Sequence, residues 1–294
     1  MGLGLLCRPV TTVARFAPSP SGHLHLGHAY AALVAHQAAR AAGGRFLVRI
    51  EDIDAARCRP EFEAAIFEDL AWLGLRWEPH VLRQSERGAA YAAALAQLEE
   101  QGLLYPCFCT RAEIRAEVAS SPSAPHGPEG PLYPGTCRAL SRAEREARLA
   151  TGTPHALRLD VRRAGERAGV LAWNDREAGE VLAAPEQLGD VVLARKGIST
   201  SYHLAVVVDD AFQGVTLVTR GADLFPATHV HRVLQAVLGL PVPQYHHHRL
   251  ITGSDGKRLA TRDGATALRA LRGQGWTPAD VRRHIGWNES AARA

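Results

Sequence analysis

Lysine is almost missing from this chain: of 34 cationic residues, only Lys196 and Lys257 are not arginine. Positive charge carried as guanidinium suits planar, two-pronged partners such as carboxylates and phosphates. A formal net charge of +4 is too small to define a nucleic-acid-binding face by itself. Long apolar runs are missing too. No stretch approaches the ~20 residues of a membrane-crossing helix, and residues 1–16 lack a clear basic leader and a small-residue cleavage site. Neither a membrane protein nor an exported one is expected, and the cytoplasm is the expected location. Cysteine is sparse and odd in number, at five, which argues against a complete intramolecular disulfide framework. What is present, 46% apolar and 22% charged residues over 294 positions, describes a globular chain with a substantial core.

Residues 10–16 are rich in β-branched types and suit a buried strand, closed by the turn-forming residues 17–22. An Ala- and Leu-rich helix is expected over about 28–42, stopped by Gly43 and Gly44, with a second strand over 45–50 running into Glu51. Strand, helix and strand at this spacing imply a parallel sheet with ligands at the carboxyl ends of its strands. Pro60 is placed to open the next helix, which stops at Gly74, and Ser85 to cap another that ends at Gly102. From residue 106 the character changes, with a cysteine cluster and a Ser-, Pro- and Gly-rich loop over 120–134, as in an insertion with its own small fold. The α/β pattern resumes at Asp190 and continues through the apolar run 204–209. A helix over 226–238 follows, then a loop bearing His246, His247 and His248, and short arginine-rich helical pieces close the chain.

Two groups of residues carry chemistry. His25-Leu26-Gly27-His28 falls between the first strand and its helix, where free N–H groups and the helix dipole favour an anion. Two imidazoles there can donate to a triphosphate, and Gly27 lets a nucleotide approach the backbone. Cys107, Cys109 and Cys137 offer three soft ligands in a short segment, which suits tetrahedral zinc and asks for a fourth. General zinc chemistry offers His126. Cys7 and Cys58 are isolated and read as structural. Adjacent residues on an extended segment point to opposite sides, so His246, His247 and His248 do not converge on one ion and read as loop histidines near the nucleotide.

Residues 15–28 resemble the HIGH-type signature of class I aminoacyl-tRNA synthetases in its glutamyl form. Residues 49–54 with Arg57 resemble a second element of the glutamyl and glutaminyl group, and residues 202–210 and 220–224 the third and fourth. Residues 256–261 stand where the KMSKS-type loop belongs, so the ordered match runs from residue 13 to about 268. The resemblance implies an α/β fold: a Rossmann-like parallel-sheet catalytic domain in two halves (1–105 and 190–265), an inserted zinc-containing, tRNA-facing subdomain (106–189) and a short C-terminal helical stub (266–294). It implies glutamate binding by Arg15, Ser19, Glu51, Tyr202 and Arg220, with arginine forks on carboxylates and Glu51 on the ammonium. It implies ATP binding by His25, Gly27, His28, Lys257 and Arg258, with Mg²⁺ accompanying the nucleotide. The KMSKS-like loop is Arg258, Leu259, Ala260 and Thr261, and it departs from the family in having uncharged Thr261 where a second lysine is usual, so slow adenylate formation is expected.

Within the family, a C-x-C…Y-x-x-x-C module with about thirty residues beyond the KMSKS-like loop resembles the branch that attaches glutamate to the queuosine base of tRNA(Asp). That branch makes Tyr133 the fourth zinc ligand, beside Cys107, Cys109 and Cys137. The implied partners are L-glutamate, ATP and queuosine-bearing tRNA(Asp), with neither a membrane nor DNA among them. Two other readings stay open: a truncated glutamyl-tRNA synthetase charging the 3′ end of tRNA(Glu), and an impaired paralogue acting as a tRNA- or glutamate-binding module.

Overall fold

The computed structural model describes residues 11–120, 126–127, 130–195, 200–252 and 266–287. Lys257, Arg258, Leu259, Ala260 and Thr261 lie outside them.

Strand β1 (Val13–Phe16) is buried at every position, and helix α1 (Leu26–Ala41) follows it. The return into β2 (Arg45–Ile50) needs two glycines. Gly43 has φ of 60°, and a Cβ on Gly44 would stand 2.0 Å from the Thr12 carbonyl oxygen. Helix α2 (Pro60–Trp72) opens on Pro60, as expected. After β3 (Leu82–Arg83) the structure differs from expectation. Ser85 lies in a 3-10 turn, Gln84–Arg87, and donates its hydroxyl to Asp52 Oδ2 at 2.6 Å. A carboxylate is the stronger acceptor, so Ser85 caps nothing and α3 (Gly88–Glu100) begins without a side-chain cap.

The middle of the chain holds β4 (Leu104–Cys107), α4 (Arg111–Ser120), β5 (His126–Gly127), β6 (Gly130–Pro131), α5 (Arg142–Ala150), β7 (Ala156–Leu159), α6 (Val161–Ala168), β8 (Ala172–Asp175), β9 (Gly179–Leu182) and β10 (Val192–Arg195). The apolar run 204–209 lies within helix α7 (Tyr202–Phe212), and β11 (Leu217–Gly221), α8 (Phe225–Leu238) and β12 (Gln244–His248) follow. Helices α9 (Leu268–Gly273) and α10 (Pro278–His284) are the last described elements. His246, His247 and His248 are therefore on a strand, not a loop. Their strand is paired along its length with β11, and that pairing buries His247 and His248.

The main sheet has seven strands in the order β3-β2-β1-β11-β12-β8-β9, parallel except for β9 at the edge. A second, antiparallel sheet has the order β10-β7-β4. Strand pairing thus does not follow the expected boundaries of 106–189. Strands β8 and β9, from the inserted segment, complete the main sheet, and β10, from beyond it, joins the small one. Buried Asp190 ties the small sheet together, accepting from Tyr105 Oη at 2.5 Å, Arg138 Nη1 at 2.8 Å and the Val161 amide at 3.0 Å.

Side-chain alternation in β1 and β2 divides the core. Ala14, Phe16, Phe46, Val48 and Ile50 pack with α1, α2, α9 and α10, whereas Val13 and Leu47 lie in a different cluster. With period two, Arg15 and Arg49 share the face of Val13 and Leu47, and there they meet α7. Among the described residues, no helix is long and apolar enough to cross a membrane.

Candidate active site

Arg15, Glu51 and Arg220 all stand at or near the carboxyl ends of parallel strands, and Asp210 of α7 bridges Arg15 and Arg49. Arg15 donates to Asp210 through Nε at 2.9 Å and Nη2 at 3.3 Å, and through Nη1 to the Thr219 carbonyl at 3.2 Å. Arg49, fully buried, donates to Asp210 Oδ1 at 2.7 Å and to Glu51 Oε1 at 3.2 Å. Burial works against the Asp210 charge, but Arg15 and Arg49 hold its carboxyl below the usual range. For Glu51 burial dominates and pushes the carboxyl up despite Arg49 and Arg15. Ser19 is exposed, and its hydroxyl lies 3.8 Å from Cys58 Sγ.

Arg220 has a different setting. It is 6% exposed, and among the described residues its direct partners are all uncharged. Nε donates to His247 Nε2 at 3.1 Å, and Nη1 donates to Tyr202 Oη at 3.0 Å and approaches His231 Nδ1 at 3.2 Å. Nη2 donates to Thr228 Oγ1. Burial first, and Arg220 second, push His231 well below its ordinary value and His203 and His247 down to about 4, so all three rings are neutral at pH 7. Arg220 thus carries a buried positive charge that its neighbours orient without neutralising. Among the described residues, one N–H of Nη2 and the Tyr202 hydroxyl proton remain for a ligand.

The paired histidines sit at the start of α1. His25 is the N-cap: its Nδ1 accepts from the Gly27 amide at 3.1 Å, while the His25 amide donates to His28 Nδ1 at 3.2 Å. The histidines therefore satisfy part of the helix terminus that was expected to stay free for an anion. Burial pushes His25 down to about 4 and His28 to about 3. Both rings are neutral with Nδ1 accepting, so each carries its proton on Nε2. Those two N–H groups are the donors that this element can offer.

Away from this edge, Cys107, Cys109 and Cys137 place their sulfurs within 4.8 Å of one another. Tyr133 joins them, its Oη 3.4 Å from Cys107 Sγ and 3.7 Å from Cys109 Sγ. A tetrahedral zinc with ~2.3 Å bonds to sulfur holds its ligands ~3.8 Å apart, near the 3.4 Å between Cys109 and Cys137 and the two Tyr133 distances, so the cluster could hold a metal. The Arg158 guanidinium lies over the Tyr133 ring at 3.8 Å. The His126 side chain lies outside the described residues. A cavity of about 660 Å³ extends from the cysteines to Tyr202 and is lined by Phe108 together with Arg57, Arg111, Arg158 and Arg195.

Of the candidate site residues, Arg15 and Glu51 are linked through Asp210 and Arg49, Tyr202 and Arg220 are bonded to each other, and Arg15 reaches the carbonyl of Thr219 next to Arg220, while His25, Gly27 and His28 stand at the start of α1. Arg49 and Asp210 lay within the matched elements without an assigned role, His247 was read as a loop histidine, and His231, Thr228 and Asp175 were not singled out. One signal was available: the Asp209-Asp210 pair closes an apolar run, and carboxylates buried by such a run require partners. Asp209 finds Gln84, Arg87 and Tyr91, and Asp210 finds the two arginines.

Residues 11–292 match the family model for the catalytic domain of class I (E and Q) tRNA synthetases. The Glutamyl-Q tRNA(Asp) synthetase of Rhodobacter capsulatus is 53% identical over 280 residues, covering 93% of this chain and 99% of that protein. The protein of the same name from Symbiobacterium thermophilum is 47% identical, covering 93% and 85%. The crystal structure of glutamate-tRNA synthetase from Elizabethkingia anophelis superposes with a TM-score of 0.72 at 31% identity, covering 86% of this chain. This chain spans about half of that synthetase, 53% of its length.

Proposed function

The chain belongs to the family of class I (E and Q) tRNA synthetase catalytic domains, and on that premise we propose that it activates L-glutamate with ATP and transfers the glutamyl group to the queuosine base of tRNA(Asp). The observation that carries the activation step is Arg220: a buried guanidinium among neutral acceptors, lacking a carboxylate partner among the described residues, at the carboxyl end of β11. A substrate carboxylate supplies the missing charge. Glu51 takes the substrate ammonium, and Arg15 and Ser19 complete the contact. A carboxylate oxygen of glutamate then attacks the α-phosphorus of ATP, and the bond to pyrophosphate breaks. The Nε2–H groups of His25 and His28 meet charge developing on the phosphates. No side-chain nucleophile is required, because alignment and charge neutralisation are the demands of this step. Mg²⁺ accompanies the triphosphate, and Lys257 and Arg258 contribute cations from the KMSKS-like loop.

The choice of acceptor follows relatives named Glutamyl-Q tRNA(Asp) synthetase that are 53% and 47% identical to this chain. The arginine-lined cavity next to Tyr202 suits the approach of a phosphate-bearing strand. Cys107, Cys109, Cys137 and Tyr133 would hold zinc, which would brace the segment between β4 and α5 against the small sheet. The reaction takes place in the cytoplasm. Labelled glutamate should be attached to queuosine-containing tRNA(Asp), persist when the 3′ end is blocked by removal of its terminal adenosine, and fail to attach to queuosine-lacking tRNA(Asp). Equal labelling of both tRNAs, or labelling abolished by the 3′ block, overturns the assignment in favour of 3′-end charging.

A further inference from the structure

The ring that orients Arg220 is itself held from the next strand of the sheet. Asp175 ends β8, beside β12, and is 4% exposed. Its Oδ2 accepts from His247 Nδ1 at 2.7 Å and from the His247 amide at 3.1 Å. Its Oδ1 accepts from the amides of Glu177 at 2.9 Å and Ala178 at 3.0 Å. Burial opposes the charge, but these donors, the Ala178 amide first, hold the carboxyl below its usual range. An ionised carboxylate only accepts, so His247 carries its proton on Nδ1 and turns the bare lone pair of Nε2 to Arg220 Nε and Thr228 Oγ1.

We propose that Asp175 and His247 are positioning residues for Arg220: the carboxylate fixes the imidazole tautomer whose Nε2 accepts from the guanidinium, and so fixes how Arg220 meets its ligand. The proposal rests on the reading of Arg220 as a glutamate contact. It also gives β8 a task that its place in the inserted segment does not suggest, because the strand brings the orienting charge into the main sheet.

Substitution by asparagine tests this. An amide nitrogen on the Oδ1 side would face two backbone donors, so it takes the Oδ2 side, where one of the two donors is an imidazole proton that can move. His247 then shifts its proton to Nε2 and presents a donor to a donor. Asp175→Asn should raise KM for glutamate about ten-fold, a usual size for a residue acting through another. KM for ATP should stay the same, and selectivity for glutamate over glutamine should fall. His247→Gln, whose side-chain oxygen can accept in place of Nε2, should keep KM for glutamate within about three-fold, and His247→Leu should not. The double variant separates positioning from mere support of the β8–β9 turn. In the His247→Gln background the tautomer no longer exists, so Asp175→Asn should add nothing to KM for glutamate. Should Asp175→Asn fail to fold, the contrast between His247→Gln and His247→Leu carries the test.

All variants are compared by glutamate-dependent pyrophosphate–ATP exchange and by thermal unfolding. No glutamate-dependent exchange by the unaltered chain overturns the functional reading and this proposal together. Normal exchange with an unchanged KM for glutamate in Asp175→Asn, or an effect that persists undiminished in the His247→Gln background, overturns the proposal alone.

Discussion

Replacing Arg220 by methionine separates what the guanidinium does for a ligand from what it does for the fold. Thr228 can still donate to His247 Nε2, so the substitution orphans mainly His231 Nδ1 and the Tyr202 oxygen. An orphaned buried acceptor costs about 1–3 kcal/mol. Against that, burying a charge carries a desolvation penalty of several kcal/mol, and among the described residues Arg220 has no counter-ion to offset it. The opposing contributions are of similar size, so stability should stay within about 2 kcal/mol of the unaltered chain. The ligand loses a buried charge contact of about 2–5 kcal/mol. At ~1.4 kcal/mol per factor of ten, kcat/KM for glutamate should fall roughly 30- to 4000-fold. Arg15→Met is the contrast. It strips Asp210 of its Nε and Nη2 donors and leaves a buried carboxylate with Arg49 alone, a loss of about 3–5 kcal/mol in stability. Urea unfolding and pyrophosphate exchange on both variants decide the matter. Exchange unchanged in Arg220→Met, or Arg220→Met less stable than Arg15→Met, refutes the reasoning.

Acid should destabilise this fold early. Burial holds His25, His203 and His247 at about 4 and His28 at about 3, against an ordinary 6.5. Below pH 6.5 the unfolded chain binds protons that the folded one does not, so stability is full above 6.5 and is lost as pH falls toward 4. A urea midpoint that is level from neutrality to pH ~4.5 contradicts this. Protein purified without chelator should carry about one equivalent of zinc, as a single four-ligand site requires. Cys137→Ser should lose it; undiminished metal in that variant removes the assignment, and loss with His126→Ala but not with Tyr133→Phe makes His126 the fourth ligand.

By itself the sequence determined the local elements whose causes are local. Gly43 and Gly44 end α1 because the turn into β2 needs a positive φ and then a residue without Cβ, and Pro60 opens α2 because its fixed φ and missing N–H belong at a helix start. The His25–His28 element was legible for the same reason, since the cap and its helix are neighbours in the chain. Cys107, Cys109 and Cys137 were legible as a group able to take a metal because softness and spacing are properties of the residues, whereas Tyr133 entered only through the family resemblance. Pairing across long sequence distance was not legible. An apolar run such as 204–209 has no periodicity that separates a buried helix from a strand, and three adjacent histidines look like a loop until β11 pairs with them. Only the tertiary structure decided that β8 leaves the inserted segment for the main sheet. It alone set Asp210 against Arg15, 195 positions away, and Asp175 against His247, 72 positions away. Such contacts depend on which strands share an edge, and strand order is set by the packing of the whole sheet, which no single segment encodes.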